Sequence, residues 1–251
     1  MRPIIGWLTA LLLLLSAFPA SAAEVQVAVA ANFTAPMQKI AADFERDTGH
    51  KAALSFGSTG KFYAQIVNGA PFEILLAADD ETPTRLEKEG LGVAGARLTY
   101  AIGKLVLWSA SEGVVDQQAA VLKNNAFRRL ALANPKTSPY GAAALEVLGQ
   151  FVAPQAVQGK TVQGESITQA WQFVSTGNAE LGLVALSQVF KDGKLASGSA
   201  WIVPQSLYTP LRQDAILLAR GRNNPAAAAL LVYLKSEKAR SAIRAFGYDL
   251  P

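Results

Sequence analysis

Neutral hydrogen-bond donors recur where the sequence predicts that a strand ends and a helix begins. Four such segments stand out: Ala31-Asn32, Ser58-Thr59, Tyr140 and Ile167. The first turn of a helix leaves backbone N–H groups unpaired and carries the positive end of the helix dipole, so it favours an anion. A single junction of this kind is ordinary helix capping, for which Asn32, Thr34 and Ser166 are suitable residues. Gly49 is suited to end the first helix. Four junctions of this kind, if they meet, predict a site for a small anion.

The polar side chains named at three of these junctions are uncharged. The Asn32 amide and the hydroxyls of Ser58, Thr59 and Tyr140 can all donate hydrogen bonds. No junction carries a pair of arginines. A hydrogen bond to a charged partner contributes about 1.5–3 kcal/mol, so several of them could offset the desolvation of a buried ion. The pattern favours a dry site of neutral groups.

Several kinds of chemistry are excluded by composition. The chain has no cysteine, which removes disulfides, thiolate metal sites and cysteine nucleophiles. Its one histidine, His50, follows Gly49 in a predicted loop. A nucleotide-binding phosphate loop fails because Ser55 and Phe62 replace the glycine and the hydroxyl residue that the motif needs. The acidic triplet at 79–81 precedes Pro83, where acids cap a helix. We therefore expect no catalytic site and no cation ligands.

The first 22 residues have the composition of a secretory signal peptide. Arg2 is their only charge, residues 8–15 are an apolar run, and residues 20–22 form a small-residue cleavage pattern. Without Arg2 the chain has 22 basic and 19 acidic side chains, a net charge of +3. These basic residues are scattered, which argues against a nucleic-acid surface. We expect an exported, soluble protein cleaved near Ala22.

Strands and helices alternate along the rest of the chain. This order predicts an α/β fold with mostly parallel sheets flanked by helices. Two long apolar segments, 98–109 and 208–219, contain Gly103 and Pro210 and could carry the chain between two lobes. In open α/β sheets, ligands bind beyond the carboxyl ends of the strands. Closure of one lobe on the other would then bring the four junctions around one point.

A set of short motifs identifies a family. They are AANFT (30–34), SFGSTG (55–60), GAP (69–71), AAD (77–79), ANP (133–135), PYG (139–141), LGLV (181–184) and FGY (246–248). With these motifs the chain resembles, over nearly all of 25–250, the periplasmic molybdate-binding proteins of ABC importers. The resemblance implies the two-lobed type II periplasmic binding protein fold, with a two-strand hinge. Lobe I would comprise 23–102 and 211–251, and lobe II 103–210.

The resemblance also implies ligand contacts. An oxyanion would be held by Ala31, Asn32, Ser58, Thr59, Tyr140 and the backbone N–H of Ile167. One branch of the family adds a tyrosine after the LGLV strand, where this sequence has Ala185. We expect the Tyr140 hydroxyl to take its place from another direction.

The function that the resemblance implies is capture of molybdate or tungstate in the periplasm and delivery to an inner-membrane ABC permease by hinge closure. The protein would need no cofactor and would act as a monomer. Other readings remain open at this point: a carrier for sulfate, a metal ion or an organic anion, a sensory module, or an exported α/β enzyme. The enzyme is disfavoured because the sequence has neither a nucleophile elbow nor an HExxH motif.

Overall fold

The computed structural model describes residues 22–251; most of the expected signal peptide, 1–22, lies outside the described residues. The strands are β1 (Glu24–Ala30), β2 (Lys51–Gly57), β3 (Ile74–Leu76), β4 (Gly92–Gly103), β5 (Leu105–Ser109), β6 (Leu130–Ala133), β7 (Thr161–Gly164), β8 (Leu181–Ala185), β9 (Phe190–Lys191), β10 (Lys194–Leu195), β11 (Ser199–Ile202) and β12 (Leu211–Leu218). The α-helices are α1 (Thr34–Thr48), α2 (Thr59–Val67), α3 (Glu81–Lys88), α4 (Ala120–Lys123), α5 (Pro139–Phe151), α6 (Ile167–Ser175), α7 (Leu186–Val189), α8 (Pro225–Tyr233) and α9 (Glu237–Ala245). Short 3-10 turns include Ala31–Phe33, between β1 and α1.

Two five-stranded sheets form the centres of the two lobes. The first has the order β2-β1-β3-β12-β4 and the second has the order β11-β5-β8-β6-β7. Strand β4 of the first sheet ends at Gly103, and the next strand, β5 of the second sheet, begins at Leu105. The chain returns from β11 of the second sheet to β12 of the first. The α/β architecture predicted from the sequence is confirmed.

Each sheet has four strands that run in one direction and one that runs in the other, so the prediction of mostly parallel sheets is confirmed. The pairs β1–β2 and β1–β3 are parallel, but β12 runs antiparallel to both β3 and β4. The second sheet repeats this arrangement, with β5 antiparallel to its two neighbours. The reversed strands are β5 and β12, the two that follow the crossings. Because each enters its sheet from the other lobe and not through a helix packed on its own sheet, the connection does not require it to run parallel.

Alternation along β1 divides the first core. Val25, Val27 and Val29 pack with α1, α8 and α9 on one face of the sheet. Ala28 packs on the other face, with Phe62 and residues of α2 and α3. The second lobe has one continuous core around β5, β6 and β8. Both sheets are therefore covered by helices on two faces, which holds the strand ends in fixed positions.

The sequence misplaced the start of the first helix. It predicted Asn32 or Thr34 as the residue that caps the helix, but the chain first makes the 3-10 turn Ala31–Phe33, and α1 begins at Thr34 after Phe33 without a side-chain cap. The Thr34 hydroxyl instead donates to Ala31 O at 2.8 Å. Gly49 ends α1 with φ of 74°, as predicted. None of the helices within 22–251 is long and apolar enough to cross a membrane.

Candidate functional site

The four predicted junctions lie in adjacent pairs, one pair on each sheet. Ala30 at the end of β1 pairs with Gly57 at the end of β2. Ala133 at the end of β6 pairs with Gly164 at the end of β7. Each pair of parallel strands therefore delivers two junctions to the same edge of its sheet, beyond the carboxyl ends of the strands.

Contacts between the lobes bring the two pairs of junctions together. The Gly60 N–H, in the first turn of α2, donates to Thr137 O at 2.9 Å, just before α5. The Thr168 hydroxyl, in the first turn of α6, donates to Ala31 O at 3.2 Å. A salt bridge of 2.8 Å joins Lys61 to Glu165 at the rim. Each first-lobe junction thus meets a second-lobe junction, and the structure is in a closed form.

All six predicted ligand residues are buried beside this contact. Their exposed fractions range from 1% for Thr59 and Tyr140 to 6% for Ala31. Thr59 and Ile167 are the first residues of α2 and α6, and Tyr140 is the second residue of α5. At these positions a backbone N–H has no acceptor within its own helix. The site therefore offers backbone donors from both lobes.

The Ser58 hydroxyl is a buried polar group of the site that makes no hydrogen bond within 22–251. Ser58 is 4% exposed, and within 22–251 its Oγ has no hydrogen-bond partner. Its neighbour Thr59 accepts a bond from Ala78 N at 3.0 Å, which leaves the Thr59 hydroxyl hydrogen to donate. A buried hydroxyl without a partner costs about 1–3 kcal/mol. Ser58 therefore suits a ligand that completes its hydrogen bonding.

The Asn32 side chain is turned towards the protein. Its Nδ2 donates to Gln213 Oε1 and to the Tyr248 hydroxyl, both at 2.9 Å. An amide NH₂ group has two hydrogens, so both are used. Side-chain donation to an anion, which the sequence predicted, is therefore not available in this arrangement. The N–H of Asn32, inside the 3-10 turn, is the donor that remains.

Tyr140 also directs its hydroxyl away from the helix start. The hydroxyl accepts a bond from Gln213 Nε2 at 3.1 Å. It lies close enough to Gly103 that a Cβ there would stand 2.2 Å from it. Burial raises the pKa of Tyr140 well above its ordinary value, so the phenol stays protonated. The side chain belongs to the crossing between the lobes, and the backbone N–H of Tyr140 is left at the start of α5.

Residues that the sequence did not single out complete this network. Gln213 is fully buried on β12, and its Oε1 also accepts a bond from Tyr100. Ser187 donates to Asn32 O at 2.8 Å. Tyr248 donates to the same carbonyl, also at 2.8 Å. The sequence offers no local signal for Gln213, because it stands between two charged residues, Arg212 and Asp214, in β12.

The described part of the chain offers no alternative centre for a metal. No group of three or more histidine, cysteine, aspartate or glutamate side chains is close enough to hold an ion within 22–251. Asp79, which follows Ala78, the donor to Thr59, accepts bonds from Thr82 N at 2.8 Å and from the Thr82 hydroxyl at 3.2 Å. Its role at the start of α3 is the local one predicted for the acidic triplet.

The fold and the neutral cleft define the class of the protein. The model for bacterial extracellular solute-binding proteins matches residues 25–249, and the chain belongs to that family. Among its relatives is the molybdate-binding protein ModA of Azotobacter vinelandii, 65% identical over 94% of both chains. ModA of Rhodobacter capsulatus is 49% identical over 96% of this chain and 94% of its own. A solved structure, the periplasmic molybdate-binding protein of A. vinelandii, superposes with a TM-score of 0.87 at 39% identity, covering 90% of this chain and 99% of the other.

Membership in a family of solute-binding proteins agrees with the prediction of a non-catalytic, two-lobed chain. It also places the protein outside the cytoplasm, as the description of the family states.

Proposed function

We propose that this protein captures molybdate, and the equally sized tungstate, in the cleft between its lobes. The observation that carries the proposal is the closed cleft itself. Helix and turn starts from both lobes converge there, with a buried Ser58 hydroxyl that has no partner in the described chain. Such a site fits a desolvated tetrahedral oxyanion. The two relatives named as molybdate-binding proteins, at 65% and 49% identity, support the choice of oxyanion.

The proposed ligand set is Ala31, Asn32, Ser58, Thr59, Tyr140 and Ile167. The hydrogen bonding described above supports backbone N–H donation by Asn32, Tyr140 and Ile167, and hydroxyl donation by Ser58 and Thr59. No member of the set is charged. The negative charge of the ion would be distributed over several dipoles instead of being neutralised by one cation.

Size gives the site its selectivity in this proposal. Neutral donors held at fixed distances by two closed lobes should hardly separate molybdate from tungstate. Sulfate is smaller, so its hydrogen bonds to the same donors would be long and weak. Phosphate carries a proton near neutral pH, and the proposed set contains no carboxylate to accept it.

The experiment is a titration of the purified mature protein with each of the four anions, by calorimetry and by thermal shift. We expect tight binding and a large rise in Tm for molybdate and tungstate, and little response to sulfate or phosphate. Equal stabilisation by sulfate would contradict the proposed selectivity. A response to none of the four would contradict the function.

Delivery and location complete the proposal. The bound ion would be passed to an inner-membrane ABC permease from the periplasm, after cleavage of the signal peptide near Ala22. The lobes would divide at 102/103 and 210/211, close to the ends of β4 and the start of β12. We propose that the carrier works as a monomer without a cofactor.

A further inference from the structure

Two hydroxyl groups of the second lobe bond the backbone of the first-lobe turn Ala31–Phe33. Thr168 Oγ1 donates to Ala31 O at 3.2 Å, and Ser187 Oγ donates to Asn32 O at 2.8 Å. Both donors lie beyond the carboxyl ends of second-lobe strands: Thr168 in α6, which follows β7, and Ser187 in α7, which follows β8. Because donors and acceptors belong to different lobes, these bonds depend on closure.

The bond to Ala31 O acts on a peptide group that the proposed ligand uses. The carbonyl of Ala31 and the N–H of Asn32 belong to the same peptide unit. A hydrogen bond accepted by the carbonyl polarises the unit and strengthens its N–H as a donor, by perhaps 10–30% in condensed-phase estimates. Ala31 O already accepts the Thr34 hydroxyl of its own lobe at 2.8 Å. Thr168 adds a second hydroxyl bond when the lobes close, and so further strengthens the Asn32 N–H as a partner for an anion.

The bond to Asn32 O fixes the orientation of the next peptide unit. Asn32 is already held from its own lobe, through Gln213 and Tyr248. The Tyr248 hydroxyl contacts both Asn32 O at 2.8 Å and Ser187 Oγ at 3.0 Å. Ser187 is 8% exposed, so its bond is shielded from water. The turn is therefore held by both lobes in the closed form and by one lobe alone when they separate.

Neighbouring groups orient the Thr168 hydroxyl for this task. Gln188 Nε2 makes a long contact of 3.5 Å with Thr168 Oγ1, and Gln188 Oε1 accepts a bond from Ala185 N at 3.1 Å. With a donor on its oxygen, the Thr168 hydroxyl directs its own hydrogen to Ala31 O. A groove of about 290 Å³ lies beside these residues, with Trp171 in its lining.

We infer that Thr168 and Ser187 are positioning residues that couple lobe closure to the grip of the Ala31-Asn32 backbone on the oxyanion. The inference rests on the proposed function and goes further, because both residues act through Ala31 and Asn32. Since their bonds form on closure, after the ion has entered, they slow its dissociation. They contribute little to the rate of association.

The test is stopped-flow measurement of molybdate association and dissociation, followed by tryptophan fluorescence, in the mature protein. Thr168→Val and Ser187→Ala each remove one hydroxyl. Thr176→Val is the matched control for the first, since the Thr176 hydroxyl bonds Gln172 O within the same segment at 2.7 Å. Ser175→Ala is the control for the second, because the Ser175 hydroxyl makes a single bond, to Gln172 O within α6 at 3.2 Å.

We expect the dissociation rate of Thr168→Val and of Ser187→Ala to rise about threefold to tenfold, the effect of one hydrogen bond. Their association rates and ligand-free Tm should match those of the controls. Thr168→Ser keeps the hydroxyl and should restore slow dissociation. Unchanged dissociation rates in both variants, with wild-type protein that binds molybdate, would overturn the inference alone. Slower association with unchanged dissociation would also overturn it. A wild-type protein that does not bind molybdate would overturn the proposed function as well.

Discussion

At the scale of single residues, the buried polar side chains of the cleft differ in whether they are hydrogen-bonded within the protein. The Asn32 amide and the Tyr140 hydroxyl are both engaged by Gln213. The Ser58 hydroxyl, as buried as these two, is left without a partner in 22–251. Burial of a polar group is unfavourable unless it is hydrogen-bonded, so the unpaired Ser58 hydroxyl is the side chain that we propose faces the ligand.

Ser58→Ala should therefore separate ligand affinity from stability. A hydrogen bond to a charged ligand contributes about 1.5–3 kcal/mol, so we expect molybdate affinity to fall roughly tenfold to a hundredfold. The ligand-free protein should keep or gain stability, because the variant removes an unpaired buried hydroxyl. Calorimetric titration and ligand-free thermal melts measure the two effects.

Ser109→Ala provides the control for that comparison. Ser109 is 2% exposed and its hydroxyl accepts a bond from Ser111 N at 3.3 Å, away from the cleft. Its affinity for molybdate should equal that of the wild type. If Ser58→Ala and Ser109→Ala bind molybdate equally well, the Ser58 hydroxyl is not a ligand donor.

Asp79 should make stability depend on pH. Burial raises its pKa from 3.8 to about 6, although bonds from Thr82 lower it. A carboxyl whose pKa is raised by folding stabilises the fold below 3.8, and this contribution is lost as pH rises through about 6. Because Asp79 keeps some contact with solvent, we expect a loss of about 1–2 kcal/mol.

Denaturant unfolding of the wild type and of Asp79→Asn, without ligand, checks this expectation. The free energy of unfolding of the wild type should fall relative to that of the variant across this pH interval. The Asn variant keeps an oxygen for the Thr82 bonds and has no charge to bury. A constant difference between the two proteins at all pH values would show that Asp79 titrates normally.

The sequence predicted which residue types stand at the cleft better than it predicted where they point. Asn32 is 181 positions from Gln213, the partner that takes one of its amide hydrogens. Tyr140 is 73 positions from the same glutamine. Local pattern carries no information about such pairs, because they form only when two lobes and the crossing strands are assembled. The four junctions were predictable since each depends on a local change from strand to helix.

At the scale of elements, the sequence failed to predict the helix start that no capping residue marks. The helix α6 begins after Ser166, whose hydroxyl accepts a bond from Gln169 N, and that cap was predicted. The 3-10 turn Ala31–Phe33 has no such cap and was read as part of the helix. Its geometry depends on bonds from distant side chains, including Tyr248.

The first turn of α2 packs closely against the segment before α5, so a side chain added at Gly60 would block this contact between the lobes. A Cβ added to Gly60 would lie 2.9 Å from Thr137 Cα, a backbone atom that cannot move aside alone. Gly60→Ala should therefore hold the lobes apart and lower molybdate affinity at least tenfold, a loss of about 1.4 kcal/mol or more. Ligand-free stability should be unchanged or higher, because alanine favours a helix over glycine by up to about 1 kcal/mol.

Gly149→Ala is the matched control, since Gly149 lies in α5 and a Cβ there would meet no atom within 4 Å. Titration of both variants with molybdate measures the predicted difference in affinity. Wild-type affinity in Gly60→Ala would mean that the contact between Gly60 and Thr137 is not required for binding.

At the scale of the whole molecule, direct bonds join the two lobes both across the cleft and beside the crossings, where Asp192 N donates to Ala245 O and Lys104 pairs with Asp249. The bonds across the cleft include the Gly60–Thr137 backbone bond, the Thr168 and Ser187 hydroxyl bonds, and the exposed Lys61–Glu165 pair. An exposed ion pair contributes only about 0–1 kcal/mol. Closure without ligand would also leave Ser58 buried and unpaired. An ion that completes the hydrogen bonding of Ser58 would therefore add to the stability of the closed form.

This contribution of the ion predicts a change of shape on binding. Small-angle X-ray scattering should give a larger radius of gyration for the ligand-free protein, and addition of molybdate should reduce it to the value calculated from the closed structure. A ligand shifts such an equilibrium only by its difference in affinity for the two forms, so an anion that binds weakly should leave the radius at its ligand-free value. Gly60→Ala at saturating molybdate should remain at the larger radius, because its Cβ obstructs the contact with Thr137. If the ligand-free wild type already has the closed radius, the site is preformed, and ion binding would not drive the lobes together.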